Sequence, residues 1–170
     1  MIALPGGRRR WRFHVCALML LVPIGFAPGY FQRLDLEGGA VGLGEREIGV
    51  LRLGRWKARL AELDLGPPVI EGAAGPIKTF TLALEGAAID EVRAAYAKIG
   101  EPRSIRSAGA LFAGAPYRQM AGVAAPETAT GDSELWLTFE GWDGSIEQTS
   151  LPLADASPST VAWLAGRRRR

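Results

Sequence analysis

The stretch Leu135–Leu151, LWLTFEGWDGSIEQTSL, decides the fold class that the sequence predicts. Its first half alternates, with leucine or phenylalanine at 135, 137 and 139 and tryptophan, threonine or glutamate after each of them. This period of two is typical of a strand with one buried face. The tetrapeptide WDGS at 142–145 separates this half from the second, and Asp-Gly between such runs favours a tight hairpin turn. The stretch predicts an antiparallel hairpin within a mainly β domain.

Other segments also have strand length and are separated by turns. Ile77–Leu84 alternates apolar and polar residues, and Arg103–Phe112 and Tyr117–Val123 resemble further short strands. Strands separated by turns about every 8–12 residues are typical of a sandwich. We therefore expect an N-terminal transmembrane or signal helix followed by a small immunoglobulin-like β-sandwich.

Two segments fit a helix as well as a strand. Trp56–Leu65 places apolar residues both at helical spacing and in alternation. Ile89, Val92, Tyr96 and Ile99 lie on one helical face, yet the same segment also alternates. A helix at about 88–99 would make the domain α+β instead of a sandwich, and the sequence leaves both alternatives open.

The N-terminus combines a basic tail with an uncharged apolar run over residues 15–31. This order is shared by signal peptides and by membrane anchors with a cytoplasmic N-terminus. Pro28 disfavours cleavage after Ala27, and Cys16 lies too early in the run for a lipoprotein signal. We expect a retained single-pass anchor in the inner membrane with the domain in the periplasm. Secretion to the periplasm after cleavage is the alternative, and a buried helix of a soluble core is the third.

These observations divide the chain into five parts. They are a basic cytoplasmic tail (1–14), the anchor or signal segment (15–31), a Gly-rich linker (32–44), a β-rich extracytoplasmic domain (45–156), and a short helix with an arginine tail (157–170).

The positive charge of the chain belongs to its two termini. Four arginines precede the apolar run and four end the chain, while the remainder has 12 basic and 18 acidic residues. A nucleic-acid-binding domain concentrates positive charge on its folded surface. We therefore expect no nucleic-acid partner.

The residue inventory excludes several kinds of catalytic site. The single histidine, His14, and the single cysteine, Cys16, both lie at the N-terminus. The body therefore lacks the side chains for a Ser-His-Asp or Cys-His site and for ordinary zinc, copper or haem ligation. We expect no cofactor and no metal. Paired carboxylates remain available for glycan hydrolysis at Asp132 with Glu134 and at Glu140 with Asp143, although solvated hairpin edges explain them more simply.

Aromatic and basic side chains of the body form the candidate partner-binding surface. Tryptophans that flank a hairpin usually pack across strands, but exposed tryptophans indicate a binding surface. The basic residues could face an acidic partner, although solvated loop charges explain them too. The candidates are Arg103, Arg106, Tyr117, Arg118, Trp136 and Trp142.

The overall plan and the Trp-rich hairpin Leu135–Leu151 resemble those of FixH-like membrane-anchored periplasmic proteins. That resemblance implies one N-terminal span, an immunoglobulin-like sandwich and a role in assembling respiratory or metal-handling membrane machinery. The lack of histidine in the body argues against direct metal handling.

Together these features predict a non-enzymatic accessory protein. It would be tethered to the inner membrane and would bind an unidentified membrane or periplasmic protein, supporting a membrane complex or transport system. An envelope enzyme that uses paired carboxylates and a small-ligand-binding module are the alternatives.

Overall fold

The computed structural model describes residues 18–19, 21–38 and 42–167. The predicted tail 1–14, the first residues of the segment 15–31 and the last three arginines lie outside them. In chain order the helices are α1 (Leu21–Gly38), α2 (Ala88–Glu91), α3 (Leu153–Ala156) and α4 (Pro158–Arg167). The strands are β1 (Arg46–Leu53), β2 (Trp56–Glu62), β3 (Val69–Ile70), β4 (Pro76–Glu85), β5 (Val92–Ile99), β6 (Ala110–Leu111), β7 (Ala113–Ala115), β8 (Arg118–Ala124), β9 (Glu134–Gly141) and β10 (Ile146–Pro152).

Helix α1 contains most of the apolar N-terminal run and exposes its large side chains. Ile24, Phe26, Tyr30 and Phe31 are each more than 60% exposed. Among the described residues, none of the helices has both the length and the apolar character that crossing a membrane requires. The helix continues to Gly38, so the first part of the predicted linker 32–44 is helical. The glycines that indicated a linker begin only at Gly38, and the residues before them are compatible with a helix.

The ten strands form two antiparallel sheets. The larger sheet has the order β1-β2-β4-β8-β7, with β3 paired to the start of β4. The smaller sheet has the order β10-β9-β5-β6. The predicted hairpin is confirmed, because β9 and β10 pair directly from Glu134 with Pro152 to Glu140 with Ile146. The prediction of a mainly β domain is confirmed as well.

Both ambiguous segments are strands over most of their length. Trp56–Glu62 forms β2 and Val92–Ile99 forms β5, while only Ala88–Glu91 is helical. The alternative with a helix at about 88–99 is therefore wrong. Pairing decides the outcome, because β5 lies between β9 and β6 and has a backbone partner on both sides.

The predicted strand Arg103–Phe112 is mostly irregular. A 3₁₀ turn occupies Ile105–Ser107, and only the two residues of β6 and then Phe112 lie along β5. Ser107 donates a hydrogen bond to the Ser104 carbonyl and accepts one from the Ser104 amide, which holds the turn. Gly109 has φ of +106°, and a Cβ at this position would collide with the Ala97 carbonyl. Local hydrogen bonds and this close approach outweigh the alternation of the sequence.

One apolar core joins the two sheets. Phe80 and Leu82 of the larger sheet belong to the same buried cluster as Leu137 and Phe139 of the smaller sheet. The ring centroids of Trp56 and Phe139 are 6.4 Å apart, a cross-sheet aromatic contact. Burying each such side chain stabilises the fold by about 1.5–3 kcal/mol, so this shared core holds the sheets together.

The strand order differs from that of an immunoglobulin domain. Immunoglobulin constant-type domains place their third strand in the opposite sheet from the second. In this chain β4 lies in the same sheet as β2, between β2 and β8. Because β3 pairs with the start of β4, the long connection after β2 turns back into the larger sheet. The described residues therefore do not show the immunoglobulin-like order.

The connections gather at the two ends of the domain. At one end, which we call the turn end, lie the β1–β2 turn, α2, the β7–β8 turn and the β9–β10 turn. The Leu84 amide donates to the Pro116 carbonyl at 2.7 Å, and the Trp142 amide donates to the Glu91 carbonyl at 3.0 Å. At the opposite end, the cap end, α3 and α4 cover the opening between the sheets.

Candidate functional site

The smaller sheet presents a face to solvent that carries aromatic and aliphatic side chains. Residues paired across antiparallel strands lie on the same face, so the register defines its members. Tyr96 pairs with Leu111 and Thr138, and Trp136 pairs with Lys98 and Ser150. The outer face consists of Ala94, Tyr96, Lys98, Leu111, Glu134, Trp136, Thr138, Glu140, Ile146, Gln148, Ser150 and Pro152.

The outer face carries both apolar and polar side chains, and its large apolar ones are partly or well exposed. Leu111 is 53% exposed and Ile146 is 50% exposed, while Tyr96 and Trp136 are partly buried. The hydroxyl of Thr138 is completely buried and accepts a hydrogen bond from the side-chain amide of Gln148 at 2.9 Å. Aromatic side chains with few charges are typical of the centre of a protein interface. The outer face therefore has the composition of a docking surface.

The turn end carries a second set of exposed apolar side chains. Tyr117 is 73% exposed, Trp142 is 71% exposed and Ile89 is 43% exposed. Tyr117 lies in the β7–β8 turn, Ile89 in α2 and Trp142 in the β9–β10 turn. The hydrogen bonds from Leu84 to Pro116 and from Trp142 to Glu91 connect these three segments through β4 and α2. Exposed tryptophan and tyrosine side chains held on ordered turns are suited to anchoring a partner.

Ion pairs fix the position of the Trp142 turn. Arg55 donates to Asp143 at 2.7 Å and lies 3.0 Å from a carboxylate oxygen of Glu91. The same Glu91 oxygen accepts a hydrogen bond from the indole of buried Trp56 at 2.9 Å. The guanidinium of Arg93 lies 5.8 Å from the centre of the Trp142 ring, a cation–π distance. The exposed indole is therefore held by its neighbours before any partner binds.

The carboxylate of Asp143 is kept ionised by its hydrogen bonds. The Ser145 hydroxyl and amide both donate to it, at 2.5 Å and 2.9 Å, and Arg55 adds a third donor and a positive charge. These interactions hold the pKa of Asp143 far below its ordinary value. An ionised carboxylate of this kind cannot serve as a general acid at neutral pH.

The predicted carboxylate pairs have separate partners. Glu140 lies 3.4 Å from Arg93, whereas Asp143 pairs with Arg55. Asp132 and Glu134 are exposed near the start of β9. In the part of the chain that the structure describes, no three acidic, histidine or cysteine side chains are grouped as a metal site would need.

The six predicted surface residues do not form one surface. Tyr117, Arg118 and Trp142 lie at the turn end, and Trp136 lies on the outer face. Arg103 and Arg106 are exposed in the loop after β5, at the cap end, where the Gly100 amide donates to the Glu134 carbonyl. The sequence could not show which strand ends come together.

Arg118 has a structural partner and is not a solvated loop charge. Its guanidinium donates a hydrogen bond to the carbonyl of Gly42, at the start of the segment that enters the domain. Farther along this segment, Leu43 accepts from the hydroxyl of Thr81 on β4. Arg118 therefore fixes the entering chain against the outer side of the larger sheet.

A buried charged cluster at the cap end was missed by sequence reasoning. Glu62 and Lys78 are 0% and 1% exposed, and the Lys78 ammonium lies 3.1 Å from Glu62. Arg46 donates to the other Glu62 oxygen at 2.9 Å. One pattern could have revealed it: Glu62 continues the inward alternation of Trp56, Ala58 and Leu60.

The same cluster fastens the C-terminal helices to the larger sheet. Ser157 and Ser159, at the start of α4, donate to Glu62 at 2.5 Å and 2.9 Å. Arg46 also donates to the carbonyls of Asp155 and Ala156 in α3. The hydrogen bonds and charges around it lower the pKa of Glu62, although burial alone raises it. A cluster this enclosed has a structural role, because substrate has no access to it.

Comparison with known proteins places the chain in a family. A family model described as Uncharacterised conserved protein UCP029505 matches residues 8–154. Because the match covers most of the chain, the protein belongs to this family. The match includes the apolar run 15–31 and both sheets, and it ends within α3. No curated protein and no solved structure matches the chain significantly.

Proposed function

We propose that this protein is a non-enzymatic accessory protein, tethered to the inner membrane by residues 15–31 and presenting its β-domain in the periplasm. The domain binds a membrane or periplasmic protein through the outer face of the smaller sheet and supports a membrane complex or transport system.

The composition of the outer face is the observation that carries the proposal. Leu111 and Ile146 are about half exposed on a regular sheet, next to partly buried Tyr96 and Trp136. Among the described residues, the charged side chains of this face are Lys98, Glu134 and Glu140, and Glu140 is paired with Arg93. The row across the middle of the face is uncharged and consists of Leu111, Tyr96, Thr138 and Gln148. A partner that covers the face therefore desolvates little charge, which favours association.

The state of the carboxylates favours binding over catalysis. Paired-carboxylate hydrolysis requires one carboxyl group with a raised pKa to act as an acid. Here Asp143 is held ionised, and Glu91 and Glu140 have arginine partners. These pairs explain the acidic residues of the turn end without an enzymatic role.

Photo-crosslinking in intact cells tests the proposal. A photoreactive amino acid is placed at Leu111 or Ile146 of the full chain, and at Ile70 as the control. Ile70 is a matched control because it is 72% exposed and lies on β3, away from the outer face. We expect one defined protein adduct from 111 and 146, with none from 70, in the membrane fraction.

Charge substitution provides the second readout. Ile146→Asp should abolish the adduct formed from position 111, whereas Ile70→Asp should leave it unchanged, because only the first introduces a charge into the interface. Absence of protein adducts from both outer-face positions would overturn the binding role. Recovery of the chain in the soluble cytoplasmic fraction would overturn the tether.

A further inference from the structure

The chain enters the domain across the outer side of the larger sheet. Arg118 holds the Gly42 carbonyl, and Arg118 directly follows the exposed Tyr117 at the β7–β8 turn. From Gly42 the chain runs away from this turn toward the cap end, where the Glu45 amide donates to the Leu63 carbonyl at 3.0 Å. Segment 42–45 therefore runs along the outer side of the larger sheet toward the cap end, and Gly42 lies on the turn-end side of Glu45.

Chain length limits how far the turn end can lie from the membrane segment. Helix α1 continues about 10 Å beyond Phe31, at about 1.5 Å per residue. Three residues lie between Gly38 and Gly42, and the four Cα–Cα steps that join these two glycines span at most about 14 Å. Arg118 therefore lies within roughly 25 Å of the end of the apolar run, plus the length of its own side chain.

The turn end has the side chains that a lipid–water interface favours. Tyr117, Trp142 and Ile89 project from three adjacent connections and are exposed. Tryptophan and tyrosine concentrate at the headgroup level because one part of the ring system is apolar and another part can form hydrogen bonds. The described segment 42–45 also runs from the side of this end toward the cap end.

We propose that the turn end rests on the bilayer that holds residues 15–31, with Tyr117, Trp142 and Ile89 at the headgroup level. This inference rests on the proposed function, because it requires the tether. It also deepens that function: contact at the turn end directs the outer face of the smaller sheet sideways, toward a neighbouring membrane protein.

The charges of the turn end indicate which property of the bilayer matters. Arg55 pairs with Asp143 and Glu91, and Arg93 pairs with Glu140, so these arginines already have acidic partners. These two arginines therefore add little attraction to anionic lipid, and we expect apolar and aromatic burial to dominate the contact. It should persist in zwitterionic bilayers and at high salt, where electrostatic adsorption is lost.

Site-specific fluorescence on the full chain in phosphatidylcholine nanodiscs tests this orientation. With Cys16→Ser as the background, single variants Tyr117→Cys, Trp142→Cys and Ile70→Cys carry an environment-sensitive dye. Ile70 is 72% exposed and lies at the cap end, so it serves as the control. We expect blue-shifted emission and quenching by doxyl-labelled lipid at 117 and 142 only, with no change at high salt.

The outcomes separate the two proposals. If the chain fails to float with liposomes, the tether is wrong and this inference fails with it. If the chain floats but the dyes at 117 and 142 behave like the dye at 70, the orientation alone is overturned. A photoreactive residue at 142 that labels a protein instead of lipid in cells would overturn it in favour of protein docking. Ile89→Cys repeats the measurement at the third site and covers any variant that fails to fold.

Discussion

Both ends of this domain contain charged side chains, but these are buried at the cap end and half exposed at the turn end. At the cap end, Glu62 and Lys78 are removed from water and every contact is internal. At the turn end, Arg55, Glu91 and Asp143 form a comparable network with side chains that are about half exposed. Similar residue types therefore have two different roles. The buried pairs of the cap end stabilise the fold, and the exposed pairs of the turn end position a side chain.

The buried ion pair at the cap end is costly to separate. Lys78 donates to the carbonyls of Asp64 and Gly66, both at 2.6 Å, as well as lying beside Glu62. A buried ammonium is tolerated only when it is paired and hydrogen-bonded. The network joins β2, β4 and the start of α4, so its loss should destabilise the whole domain.

The exposed ion pairs at the turn end position the side chain of Trp142. Exposed ion pairs contribute little to the free energy of unfolding, because water screens them. Their effect here is geometric: they hold the Trp142 turn in one arrangement. Removing one should change local order and membrane contact more than global stability.

The largest expected effect follows from Glu62→Gln. The substitution removes the buried counterion of Lys78 and leaves only the partly exposed carboxylate of Asp64, 3.3 Å away. Breaking a buried pair in this way costs about 3–5 kcal/mol. The free energy of unfolding from urea denaturation of the full chain in detergent measures it. Glu47→Gln is the control, since Glu47 is exposed and 3.7 Å from Arg59, and should cost less than about 1 kcal/mol. Equal stability of the two variants would contradict the difference between buried and exposed pairs.

An intermediate effect concerns pH. Because the pKa of Glu62 is lowered in the folded state, its stabilising contribution is complete above the unfolded value of 4.5 and is lost as the pH falls through the folded pKa. The wild-type domain should therefore lose stability below pH 4.5 more steeply than Glu62→Gln. Unfolding midpoints measured between neutral pH and acid check this. Parallel pH profiles for the two proteins would show that Glu62 is not the group responsible.

The smallest effect on stability is expected for Asp143→Asn at the turn end. Asparagine retains a hydrogen-bond acceptor but loses the charge that Arg55 pairs with. The unfolding midpoint should stay close to that of the wild type, while the Ser145 amide, which donates to Asp143 at 2.9 Å, should exchange its hydrogen faster. Amide exchange followed by NMR measures this. A large drop in the midpoint would mean that the turn-end network is structural, like that of the cap end.

Local patterns in the sequence predict the β9–β10 hairpin and the mainly β character of the domain. Both depend on neighbouring residues: the alternation between 135 and 140 and the Asp-Gly turn specify the pairing without help from the rest of the chain. The aromatic candidates Tyr117, Trp136 and Trp142 were also chosen from the sequence. Their division between the outer face and the turn end could not be predicted, because it depends on which strand ends meet.

The segments whose local patterns were ambiguous were decided by tertiary contacts. Val92–Ile99 has apolar residues that suit either a helix or a strand, and it becomes β5 because β9 and β6 pair with its two edges. Sheet order is decided in the same way, since the place of β4 between β2 and β8 depends on contacts distant in sequence.

The sequence by itself determined the apolar N-terminal run, the hairpin, the acidic body and the lack of histidine and cysteine within it. Only the tertiary structure decided the sheet order, the burial of Glu62 with Lys78, and the meeting of Tyr117 and Trp142 at one end. The physical reason is the separation along the chain over which each interaction acts. Composition, alternation and turn chemistry act between residues close along the chain, whereas burial and ion pairing depend on segments that the fold alone brings together.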